Sequence, residues 1–73
     1  MRRKHFFDDP NIIDKVVYLD PMAGANIYKA CEEAVEISKR FEYPAEFVFN
    51  GVLIKVLPDS KPEDLIKHYL NIL

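Results

Sequence analysis

Asn50-Gly51, set between Ala45-Glu46-Phe47-Val48-Phe49 and Val52-Leu53-Ile54-Lys55-Val56-Leu57, constrains the fold more than any other feature of this chain. Asn-Gly between β-branched and aromatic runs marks a two-residue type I′ turn, because both central positions need positive φ. So short a turn also sets the register: Phe49 faces Val52, Val48 faces Leu53, Phe47 faces Ile54, Glu46 faces Lys55 and Ala45 faces Val56. One face of the hairpin is then wholly apolar (Ala45, Phe47, Phe49, Val52, Ile54, Val56) and must point into a core. The other sets Glu46 against Lys55, a cross-strand pair worth ~0.2–1 kcal/mol, among Val48, Leu53 and Leu57. That is more apolar surface than a solvated sheet face usually carries.

Upstream, Ile27, Ala30, Cys31, Ala34, Val35, Ser38 and Phe41 recur at helical spacing, with Lys29, Glu32, Glu33, Glu36, Lys39 and Arg40 on the opposite side. This predicts an amphipathic helix. Lys29 with Glu33 and Glu36 with Arg40 stand four apart and can pair, and Lys39-Arg40 suits the negative pole of the helix dipole. Two starts are open: Asp20-Pro21 as cap and first helical residue, or a later cap at Asn26. Tyr43-Pro44 ends the helix, since the residue before proline is pushed out of the helical region. Downstream, Ser60-Lys61-Pro62-Glu63 has the pattern of a capping box, and Leu65, Ile66, Tyr69, Leu70 and Leu73 give a second helix its apolar stripe.

The N-terminal third has two readings. Lys15-Val16-Val17-Tyr18-Leu19 has the content of a strand, while Ile12, Ile13, Val16 and Val17 also fit a short helix opened by Asp9-Pro10. The strand reading gives β-α-β-β-α, a small α+β domain with the antiparallel hairpin 45–49/52–57, an N-terminal strand, and both helices on one face.

At 73 residues there is room for one domain, 1–73, with residues 1–10 as a loosely packed arm. With 49% hydrophobic residues, the chain has material for a core. Cys31 is the single cysteine, so no disulfide forms within the chain, and the start lacks the apolar stretch of a signal peptide. No apolar run approaches the ~20 residues that span a bilayer. These features predict a cytoplasmic protein with no membrane contact. Ten Lys and Arg against twelve Asp and Glu leave a formal charge of −2, which does not gather nucleic acid.

No catalytic constellation emerges from the candidates. Cys31 lies within the apolar stripe of the first helix, whereas a nucleophile needs exposure and a neighbouring base or cation. His5 and His68 have no second His or Cys at three or four residues, so no metal pair forms. Asp8, Asp9, Asp14 and Asp20 lack the order of a calcium loop, and Met22-Ala23-Gly24-Ala25-Asn26 lacks the glycines and Gly-Lys-Ser/Thr ending of a phosphate loop. No cofactor is expected. Arg2, Arg3, Lys4 and His5, followed by Phe6 and Phe7, form one basic and aromatic cluster that can grip a phosphate backbone and stack on bases; Asp8 and Asp9 offset its charge.

The stretch Glu46 to Val56, preceded by a Glu/Lys-rich helix and followed by Asp59-Ser60-Lys61-Pro62-Glu63-Asp64-Leu65 and Tyr69, resembles small proteins encoded by tailed bacteriophages and prophages. The resemblance runs from about Lys29 to Leu73. It implies a phage or bacterial cytoplasmic setting, where small accessory proteins act by binding, and brings no activity or site residues with it.

Together the sequence predicts a non-enzymatic accessory protein that binds another protein or a second copy of itself, as a homo-oligomer. The surface would be Val48, Leu53 and Leu57 around Glu46 and Lys55, or an exposed strand edge. Tyr18, Tyr28, Tyr43 and Phe6-Phe7 add to the apolar surplus; an N-terminal arm folded across the outer hairpin face is the other way to bury it. The alternative function is a nucleic-acid-binding module using Arg2, Arg3, Lys4 and Phe6.

Overall fold

A computed structural model of the chain describes residue 7, residues 9–22 and residues 24–72. The elements run β1 (Asn11–Ile13), β2 (Val16–Tyr18), α1 (Ile27–Phe41), β3 (Ala45–Phe49), β4 (Val52–Val56) and α2 (Pro62–Ile72). They form one mixed sheet in the order β1-β2-β3-β4, antiparallel except where β2 meets β3. A parallel pair needs a long crossover, and α1 supplies it.

The 45–56 hairpin has the register its turn dictates, from Phe49 opposite Val52 to Ala45 opposite Val56. Asn50 and Gly51 sit at φ 49° and 78°, as a type I′ turn requires. The strand expected within residues 15–19 is present as β2, and the helix reading of this segment is not; a further strand, β1, pairs with it to make a second hairpin, with Ile13 opposite Val16 and Asn11 opposite Tyr18. Its turn, Asp14-Lys15, adopts φ 52° and 64° without a glycine, so its backbone shape is that of Asn50-Gly51 while its residue types conceal it. The fold is therefore ββαββα.

Asn26 is the cap of α1: its side-chain oxygen accepts the backbone N–H of Tyr28 at 2.8 Å and of Lys29 at 3.4 Å. Proline at position 21 instead makes an isolated antiparallel bridge with Phe7. The helix ends at Phe41. Glu42 turns left-handed at φ 59° and donates its N–H to the Ser38 carbonyl at 2.8 Å. The buried Ser38 hydroxyl donates to the Tyr43 carbonyl, so this polar residue on the apolar stripe fastens the chain as it leaves the helix. On the solvent side, Lys29 meets Glu32 at 3.9 Å. At α2 the capping box is replaced by another arrangement. The Ser60 hydroxyl accepts the Leu57 N–H at 2.8 Å, and the Lys61 carbonyl takes the first helical bond, from Leu65 at 3.2 Å.

Both helices lie against the same face of the sheet. Val17, Phe47, Val52, Ile54 and Val56 meet Ala30, Cys31, Ala34, Val35 and Ile37 of α1 and Leu65, Ile66 and Tyr69 of α2. Ile37, seven residues after Ala30 and three after Ala34, extends the stripe read from the sequence by one position at its edge. Phe7 belongs to this core: it is buried, with its ring edge-on to Phe47 at a centroid distance of 5.1 Å. Such aromatic pairs contribute ~0.5–1.5 kcal/mol beyond their buried area. Across the second hairpin, Asn50 donates from its amide to the Tyr69 hydroxyl at 2.9 Å, and the Phe49 and Tyr69 rings meet edge-on at 5.7 Å. The turn is thereby clipped to α2.

Candidate functional site

With both helices on one side, alternation along the strands leaves the other side of the sheet open. The four strands bring their outward residues into rows. Asn11, Tyr18, Glu46 and Lys55 cross the sheet in one row, because Asn11 pairs with Tyr18, Tyr18 with Glu46 and Glu46 with Lys55. Along the strands, Ile13 with Val16 lies to one side of this row and Val48 with Leu53 to the other.

Val48 and Leu57 are each 53% exposed, Ile13 is 52% exposed and Leu53 43%, values that leave about half of each side chain in water. Tyr18 is exposed as well, and Val16 and Glu46 are half-buried. A shallow depression on this face is lined by Tyr18, Asp20, Pro21, Glu46, Val48 and Leu53. Its charges are Asp20 and Glu46, and Glu46 stands between Tyr18 and Lys55 in the cross-strand row. Such a surface can bury apolar area and orient a partner through the neighbouring charges of Glu46 and Lys55.

Val48, Leu53, Glu46 and Lys55 thus stand together, with Leu57 just past the end of β4. Ile13, Val16 and Tyr18 extend the face, and the sequence does not show them there because the first hairpin lacks a recognisable turn. The N-terminal arm does not cover this face where it is described: Phe7 lies on the helix side. Arg2, Arg3, Lys4, His5, Phe6 and Asp8, the basic and aromatic cluster with its offsetting acid, lie outside the described residues.

The other candidates are dispersed. Cys31 is fully buried, and burial pushes its thiol from 9.0 up to about 11. His68 is exposed on α2, and Asp9, Asp14 and Asp20 are exposed on the turns and loops of the N-terminal third. Among the described residues no three His, Cys, Asp or Glu side chains gather where they could hold a metal ion. No helix among them is long and apolar enough to cross a membrane. Comparison with protein-family models, with curated proteins and with solved structures gives no match.

Proposed function

We propose that this chain is a non-enzymatic protein-binding module whose outer sheet face is the interface, with a second copy of the chain as its simplest occupant. The observation that carries this is the apolar face itself: Ile13, Tyr18, Val48, Leu53 and Leu57 stay exposed while both helices pack behind the sheet. Patches of this kind on small domains mark sites of association. The face also suits pairing about a two-fold axis. Glu46 and Lys55 are neighbours on one row, and rotation of a second copy places its lysine over the first copy's glutamate and the reverse.

Sedimentation across a concentration series tests the proposal. The wild-type chain should pass reversibly from monomer to dimer, and Val48→Glu with Leu57→Lys should weaken association at least ~10-fold, a modest loss for charges placed in an apolar contact. A strict monomer at millimolar concentration, or a dimer that both variants leave intact, refutes it.

A further inference from the structure

The hydrogen-bond parity of the sheet leaves a second recognition feature, the backbone edge of β4, which borders the outer face at Leu53 and Lys55. Leu19 donates its backbone N–H to the Glu46 carbonyl at 2.9 Å, and Val17 donates to the Pro44 carbonyl at 2.8 Å. The Glu46 carbonyl therefore points to β2, away from β4. In an antiparallel pair, residues alternate between exchanging both hydrogen bonds and exchanging none. Glu46 with Lys55 and Val48 with Leu53 are the non-bonded pairs, so the backbone N–H and C=O of Leu53 and Lys55 point outward along the free edge of β4.

Leu57 has the same parity, and there the edge is already occupied: its N–H goes to the Ser60 hydroxyl at 2.8 Å and its C=O receives the Ser60 N–H at 2.9 Å. The turn that leads into α2 plugs the last edge position and leaves the two before it open. Beside that open stretch runs a groove between β4 and α2, lined by Leu53, Lys55, Leu65 and His68.

We infer that the β4 edge and this groove form a docking site for an extended peptide segment carrying an acidic residue, which adds to the sheet as a fifth, antiparallel strand. Pairing with Leu53 and Lys55 supplies the backbone bonds. The peptide residue opposite Lys55 lies on the same face as its side chain, where a glutamate completes a Glu–Lys–Glu row with Glu46. The next residue, opposite Ile54, points to the helix side, where an apolar side chain fits against Leu65 and His68. Charge decides the occupant. A second copy paired along this edge sets Lys55 beside an apolar Leu53 and brings two α2 flanks together at His68, while lysine on an edge strand discourages self-pairing.

The probe is an acetylated, amidated pentapeptide of sequence threonine-glutamate-leucine-valine-threonine, titrated into the full ¹⁵N-labelled chain. Saturable shifts should appear at the Leu53 and Lys55 amides and at Leu65 and His68, with a dissociation constant below ~1 mM. N-methylation of the peptide backbone at the glutamate and valine, which removes the paired donors, should weaken binding at least ~10-fold. Lys55→Glu should do the same, and a peptide with lysine in place of glutamate should restore binding to that variant. Ile13→Glu, on β1 at the far edge of the outer face, should leave it unchanged, which separates this site from the outer-face interface. No saturation at millimolar peptide, equal binding of the N-methylated peptide, shifts centred on Ile13 and Val48, or a dimer paired through β4 each overturns the inference.

Discussion

Replacing Lys15 by glycine should stabilise this protein, and the sign of that effect tests the N-terminal hairpin directly. Lys15 is the second central residue of the β1–β2 turn, at φ 64°, and its side chain is exposed, so little packing is lost on its removal. A residue with a Cβ held left-handed is disfavoured by roughly 1–2 kcal/mol. Glycine relieves that cost and in turn loses ~0.5–1 kcal/mol of backbone entropy on folding. The difference is a gain of about 0.5–1 kcal/mol, which for a domain of this size raises the melting temperature by ~2–8 °C. If residues 11–17 were instead a short helix, glycine in its interior would cost about 1 kcal/mol. Urea denaturation followed by circular dichroism measures this, with an unchanged slope confirming that only stability moved. Gly51→Ala is the control: Gly51 stands at φ 78° with nothing within 4 Å of an added Cβ, so any loss comes from the backbone alone, the same two terms reversed, about 0.5–1 kcal/mol. A Lys15→Gly chain less stable than wild type, measured beside a Gly51→Ala chain that is destabilised, would refute the argument.

Two further outcomes follow from the core. Removing the Tyr69 hydroxyl (Tyr69→Phe) should cost ~0.5–1.5 kcal/mol, and its effect should disappear in an Asn50→Gly background, where the glycine keeps the turn but not the clip; additive losses in a double-mutant cycle would show that the Asn50–Tyr69 bond contributes nothing. Cys31 should react with a thiol reagent in the native state at least ~100-fold more slowly than in denaturant, since two units of pKa alone lower the thiolate fraction that far below pH 9. Because burial raises this pKa in the folded chain above the unfolded value of 9.0, the folded state keeps its proton longer; the associated stability is complete below about pH 9 and is lost as pH rises through about 11. A Cys31→Ala chain should lack that alkaline decline, and an identical profile in both chains would sink the assignment.

The parts of this fold that the sequence determined by itself are those where chemistry and conformation coincide within a few residues. Asn50-Gly51 sets both a turn and a register, so the inner and outer faces of the second hairpin, and Val48, Leu53, Glu46 and Lys55 on the outer one, were readable in advance. The stripe of α1 was readable for the same reason, and Ile37 extends it at the same helical spacing.

What only the tertiary structure decided is what depends on residues distant in the chain. Asp14-Lys15 takes a left-handed turn while β2 docks in parallel on β3, with Val17 against Ala45; aspartate tolerates that conformation locally, but Lys15 gives no signal for it. That docking brings Ile13 and Tyr18 onto the outer face and draws Phe7 beneath the sheet. Ser60 likewise reads as a helix cap from its neighbours, yet its hydroxyl and backbone N–H both go to Leu57 and close the β4 edge. Local propensity differs among alternatives by about 1 kcal/mol, and burial of a single large apolar side chain exceeds that. Where the two compete in this protein, packing prevails.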